Sequence, residues 1–141
     1  MRRYLVIAHR TLGGEHLLEE VQRRIAEGPS QFHILVPAHH PSDHSWTDGQ
    51  IEAEARRVLD AGLERFRSIG ADVTGEVGDV NPVYAADGVL RREHFDEILL
   101  STLPAGPSRW LKVDVPSRMR RQFNLPITHL VARSESASAP S

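Results

Sequence analysis

Residues 96–131 read DEILLSTLPAGPSRWLKVDVPSRMRRQFNLPITHLV. The apolar run Ile98-Leu99-Leu100 breaks into the loop Ser101 to Arg109, a short basic segment follows, and a second apolar run, Ile127 to Val131, closes the stretch. This pattern predicts a buried strand, a polar loop, a helix and a last strand. In a parallel α/β sheet the loop leaving the carboxyl end of such a strand holds ligands, because helix N-termini and free backbone N–H groups converge there. The loop is therefore expected to form one wall of any site.

Working outward, the same alternation recurs toward the amino end. Tyr4 to Ala8 is fully apolar, as a central strand covered on both faces must be. After His9-Arg10-Thr11-Leu12-Gly13-Gly14 a helix is expected to about Glu27, with Leu17, Leu18, Val21 and Ile25 on one face and Gly28-Pro29 as its stop. Phe32 to Val36 reads as a second strand. A long polar loop, Ala38 to Asp48, leads to a helix in which Ile51, Ala55, Val58, Leu59, Leu63, Phe66 and Ile69 keep the helical period and Gly70 closes. Asp72 to Val77 is a short third strand. Asn81 is placed to cap a helix with Pro82 at its first position, running to about Arg92. Strands and helices alternating at this spacing imply βαβ units with right-handed crossovers.

These residues carry a resemblance. The Leu125-Pro126-Ile127 approach to the last strand, the strand and loop before it, and Tyr4-Leu5-Val6-Ile7-Ala8 with a helix after Gly13-Gly14 are together similar to a universal stress protein domain, over nearly the whole chain. The resemblance implies a Rossmann-like, three-layer α/β/α fold with a five-stranded parallel sheet in the order 3-2-1-4-5. It also implies a homodimer, in keeping with an edge strand Ile127 to Val131 that is a liability if unpaired. In ATP-binding members the loop reads Gly, two residues, Gly, nine residues, Gly, then Ser or Thr, so that backbone amides approach the phosphates. Here Ser101 stands at the first glycine, Pro104 near the second, and Val113-Asp114 at the closing pair. Proline lacks the N–H and an aspartate repels phosphate, so ATP is expected to bind weakly or not at all. His9-Arg10 replaces the acidic residue that meets adenine in the family.

Composition bounds the remaining choices. The chain has 141 residues, 40% hydrophobic and 26% charged, which fits one globular domain, taken as 1–133, with a tail 134–141 too poor in bulky apolar groups to order itself. Cysteine is absent, which removes disulfides and thiolate chemistry and agrees with a cytoplasmic setting. No stretch is long and apolar enough for a membrane span. Residues 1–108 carry 11 Lys/Arg against 17 Asp/Glu, and residues 109–141 carry 6 against 2. A mildly acidic body with a basic last quarter argues against a nucleic-acid partner and allows a local anion site.

Four groups of residues could carry chemistry. His9, Arg10, Thr11, Gly13 and Gly14 are expected to face Ser101, Thr102, Gly106, Ser108, Arg109 and Lys112 across the point where strand order reverses, forming a crevice for a small anionic ligand. A plainer reading has Gly13-Gly14 merely making the turn and Arg109 solvating its loop. His39, His40, Asp43 and His44 have ligand chemistry suited to a metal. Yet Pro41 splits them, no regular backbone preorganises them, and a solvated loop is the simpler reading. His9 and His16 could serve as acid or base, but neither has a nucleophile beside it in sequence, and no Gly-x-Ser-x-Gly elbow surrounds Ser101 or Ser108. Arg118, Arg120 and Arg121 are expected on a solvated face of the last helix, with Asp114 as its cap and Met119 and Phe123 inward. The function expected is a binding or regulatory module taking a nucleotide or other small anion. The alternative is a small nucleotide-binding-superfamily enzyme, for nucleotide hydrolysis or transfer, using His9 or the His39–His44 cluster.

Overall fold

A computed structural model of the protein describes residues 1–39, 45–104 and 108–132. The strands are β1 (Arg2–Ile7), β2 (Ser30–Pro37), β3 (Asp72–Gly78), β4 (Glu97–Thr102) and β5 (Ile127–Val131). They form one parallel sheet in the order β3-β2-β1-β4-β5. The helices are α1 (Glu15–Glu27), α2 (Asp48–Ser68), α3 (Pro82–Arg92), α4 (Arg109–Lys112) and α5 (Val115–Gln122).

The period of two in β1 explains the layers. Tyr4 and Val6 face one core, with Phe32, Ile34, Leu17, Val21, Leu59 and Phe66, while Leu5 and Ile7 face a second, with Leu35, Val83, Ala86, Val89, Met119 and Phe123. Both faces are covered, so the strand reads as an unbroken apolar run. Helices α1 and α2 thus lie on one side and α3 and α5 on the other. The local signals act where they stand: Asn81 Oδ1 accepts from the backbone N–H groups of Val83 and Tyr84, and Gly70, at φ 87, ends α2 in a conformation other residues resist. Thr47 adds a capping box, its hydroxyl accepting from the Gln50 N–H while the Gln50 side chain accepts from the Thr47 N–H.

One expectation is corrected. Asp114 makes no side-chain cap to α5; its backbone is left-handed, at φ 55 and ψ 47, and it separates α4 from α5. A carboxylate cap needs an extended backbone at that position, and the kink between the helices takes it away.

At the amino edge of the sheet lies a charged network whose carboxylates are buried. Glu97 and Glu20, only 7% and 8% exposed, both receive Arg24, at 2.5 and 2.6 Å. Thr128 donates to Glu97 at 2.5 Å, and Arg23 also meets Glu20. Burial alone would raise the Glu20 carboxyl, but bonds from Arg23 and Arg24 outweigh it and hold the group below its ordinary range.

Candidate functional site

At the opposite, carboxyl edge, β1 and β4 run side by side, and their exits open into a cleft of about 270 Å³. His9, Arg10 and Thr11 line it from the loop after β1, and Ser101, Thr102 and Leu103 from the end of β4. Ser108, Arg109 and Trp110 close it from α4, and Pro37 and His39 come from the end of β2. The volume sits just below the ~300–1,000 Å³ usual for small-molecule sites, which suits a ligand of modest size.

The loop after β1 is built as two consecutive turns, Leu12 N–H to His9 O and Gly14 N–H to Thr11 O. It is fastened from behind by Leu12, which is buried against Gly62 of α2, where an added Cβ would come within 2.3 Å of the leucine Cδ2. From the front, the Thr11 hydroxyl meets Ser101 Oγ at 2.6 Å, and His16 Nε2 on α1 meets the same oxygen at 2.8 Å. Ser101 is buried, and it joins three elements at the floor of the cleft. Thr102 bonds His129 of β5 at 2.7 Å, and Ser108 caps α4 by accepting from the Leu111 N–H.

Of the residues singled out by sequence, His9, Arg10, Thr11, Ser101, Thr102, Ser108 and Arg109 therefore meet around one cavity. Gly13, Gly14 and Lys112 do not line it. Gly14 precedes α1 with its amide turned to Thr11 O, a Cβ on Gly13 would meet Arg65 at 3.1 Å, and Lys112 is exposed on α4. Of the donors expected to cradle an anion at α1, the Gly14 amide is engaged inside the loop and the Thr11 hydroxyl by Ser101 of β4. Gly106 lies outside the described residues, as do His40, Asp43 and His44. Sequence reasoning passed over Pro37, Leu103 and Trp110 as lining residues, placed His39 only in a metal cluster, and left His16 without a nucleophile. Trp110, beside Arg109 in a stretch short of aromatics, was the one signal available.

The electrostatics of the cleft are one-sided. His9 and His39 lie with ring centroids 5.6 Å apart. Burial, with His39 and Arg10 adding repulsion, lowers the His9 imidazole to about 4, so it is neutral at pH 7. Neither ring nitrogen of His9 has a hydrogen-bond partner among the described residues.

Among the described residues, one trio elsewhere has metal-ligand chemistry: His33, Glu76 and Glu93, with ligand atoms within 4.8 Å of one another. Arg92 already holds Glu76 at 2.7 Å and Arg3 holds Glu93 at 2.7 Å, so both carboxylates are neutralised in place.

Compared by sequence, the chain matches no protein-family model and no curated protein. Compared by structure, it is similar to universal stress proteins throughout its length. A universal stress protein family protein from Arabidopsis thaliana with AMP bound shares 9% identity at a TM-score of 0.68, covering 99% of this chain and 97% of that one. A universal stress protein in complex with cAMP shares 14% at 0.60, over 91% and 95%. One from Archaeoglobus fulgidus in complex with dAMP shares 14% at 0.58, over 92% and 97%. At these identities the likeness establishes the fold: the chain has the universal stress protein architecture.

Proposed function

We propose that this protein is a cytoplasmic binding or regulatory module that takes a small anionic, ring-bearing ligand of the nucleoside monophosphate class in the β1/β4 cleft. One observation carries the reading. Among the described residues, every titratable side chain lining the cleft is basic, namely His9, Arg10, His39 and Arg109, in a chain whose net charge is −2. Such a wall concentrates anions and offers no carboxylate to hold a magnesium ion beside a triphosphate. Trp110 supplies a face on which a planar ring can stack. The structures with AMP, cAMP and dAMP add that this architecture accommodates adenine nucleotides of that size. ATP is expected to bind weakly or not at all. The half-exposed edge strand β5 supports a homodimer formed by covering it, and sedimentation at tens of micromolar, roughly the range of weak interfaces, tests that.

Calorimetry with AMP and adenosine tests the ligand class. AMP should bind at least about tenfold more tightly than adenosine, and Arg109→Ala should weaken AMP by about 1.5–3 kcal/mol, roughly 10- to 100-fold. Arg121→Ala, on the exposed face of α5, should change it little. Equal binding of adenosine and AMP would refute the proposal.

A second reading rests on Ser101 and His16, whose 2.8 Å contact is that of a hydroxyl with its general base. The same bond also serves as an anchor between β4 and α1. Phosphate release from ATP with magnesium, abolished in Ser101→Ala, would favour the enzyme. No release above a buffer control would leave the anchor.

A further inference from the structure

The basic residues of α5 do not stand alone on its solvated face. Arg118, Arg121 and Gln122 recur at helical spacing on one side of the helix, while Met119 and Phe123 turn into the core. That outward side meets the first turn of α3 across a groove of about 460 Å³, lined on the α3 bank by Asn81, Tyr84 and Asp87 and floored by the buried Val83. No residue of the β1/β4 cleft takes part in it. Asp87, the one carboxylate among the lining residues, is held by Arg91 at 2.7 Å. Neither Arg118 nor Arg121 has an ion-pair or hydrogen-bond partner among the described residues. Asn81 Oδ1 accepts from the N–H groups of Val83 and Tyr84, which leaves its side-chain NH₂ to donate. The Tyr84 side chain is left in solvent, 68% exposed.

We propose that the α3/α5 groove docks an extended acidic segment of a partner protein, with carboxylates at alternate positions of the segment meeting Arg118 and Arg121 and an apolar side chain lying on Tyr84. Charge selects the acid: α3, α4 and α5 together carry seven Arg/Lys against Asp87 alone. Openness selects the chain segment. A small molecule is held where most of its surface is buried, and here every lining residue but Val83 and Asp87 is exposed, so the occupant must bring its own cover. Spacing selects the pattern. Residues three apart on a helix hold their Cβ atoms about 5–6 Å from each other, and alternate residues of an extended chain, on one side of it, lie about 6.6 Å apart. Carboxylates on adjacent residues point to opposite sides and cannot both reach. Tyrosine and arginine are also among the side chains on which interface affinity concentrates. A second copy is the poorer occupant. Its α1 and α2 carry six Arg against nine Asp/Glu, but a contact between that layer and this groove joins unlike surfaces and propagates instead of closing. The inference stands apart from what the β1/β4 cleft binds.

The test titrates the full, isotope-labelled chain by NMR with a capped heptapeptide of alanines that carries Glu at its second and fourth positions and Phe at its sixth. Binding with a dissociation constant on the order of 100 μM is expected, with shifts in the Tyr84 amide and in the side-chain Nε–H signals of Arg118 and Arg121. Moving the second Glu beside the first, or replacing both by Gln, should weaken binding about tenfold. Arg121→Gln should weaken it about three- to fivefold, and Tyr84→Ala should weaken it as well. Arg120→Gln, an equal loss of charge one residue away and outside the groove, should leave it unchanged. All three side chains are exposed, so the variants keep the fold. No binding at about 5 mM peptide, equal binding of the Glu and Gln peptides, equal effects of Arg120→Gln and Arg121→Gln, or shifts confined to the β1/β4 cleft would each overturn the proposal. Chain growth in sedimentation that Arg121→Gln abolishes, without peptide binding, would overturn it in favour of a second copy.

Discussion

Replacing Arg24 by methionine removes one charge from a network that has almost no water to replace it. The Arg24 side chain is 14% exposed, and it serves Glu97 and Glu20 together while its guanidinium lies 5.3 Å from the centre of the Tyr4 ring. Methionine keeps most of the stem packing, so the loss is chiefly electrostatic. Stranding a buried charge costs about 3–5 kcal/mol. Here neither carboxylate is stranded completely, since Arg23 still reaches Glu20, while Thr128 and Arg2, the latter at 3.5 Å, still reach Glu97. The low end, about 3 kcal/mol, is therefore expected, which for a chain of this length lowers the melting temperature by about 10 °C. Urea unfolding followed by tryptophan fluorescence measures it at pH 7. Adding Glu97→Gln to Arg24→Met should return about 1 kcal/mol or more, because an amide tolerates burial where a lone carboxylate does not. The Glu20 contribution is present above its unfolded range near pH 4.5 and lost as pH falls through its lowered folded value, so the gap between wild type and Arg24→Met should close in acid. A loss under about 1 kcal/mol, unchanged by Glu97→Gln, would show the network to be an ordinary surface ion pair and refute the reasoning.

Two further outcomes follow from backbone and protonation. Asp114, at φ 55, sits where an L side chain costs about 1 kcal/mol or more, so Asp114→Gly should hold or raise the urea midpoint and Asp114→Val should lower it. His9, lowered to about 4 from 6.5, gives stability that is complete above about pH 6.5 and lost as pH falls toward 4. The loss is at most about 3 kcal/mol, since solvent at its exposed edge screens the shift. His9→Asn should flatten that part of the pH–stability curve, and an unchanged acid limb would show that another group titrates there.

The order of strands and helices was legible because both its signals are local. Apolar runs marked β1 and β4, the long stripe from Ile51 to Phe66 marked α2, and Asn81-Pro82 announced α3. The Thr47 to Gln50 capping box was equally local but went unread inside the loop Ala38 to Asp48. Apart from the Asp114 cap and that box, what escaped depends on distance in sequence. Ser101 meets His16 across 85 positions and Thr11 across 90, and no spacing rule connects a helix residue to a strand end. Glu97 stands 73 positions from Arg24, and nothing in the sequence signals the buried network that the two form with Glu20. At the cleft, residues on either side of the β1/β4 switch could be named from topology, whereas Pro37 and His39 enter only through the register that brings β2 against β1.

The notch at Gly62 separates two tasks that loops usually combine. Because Leu12 fastens the loop after β1 to α2, the contact with that helix is made by the leucine side chain, while His9 and Arg10 line the cleft. Substitution at these two positions would change the lining of the cleft, while the glycine and the leucine behind them stay as they are.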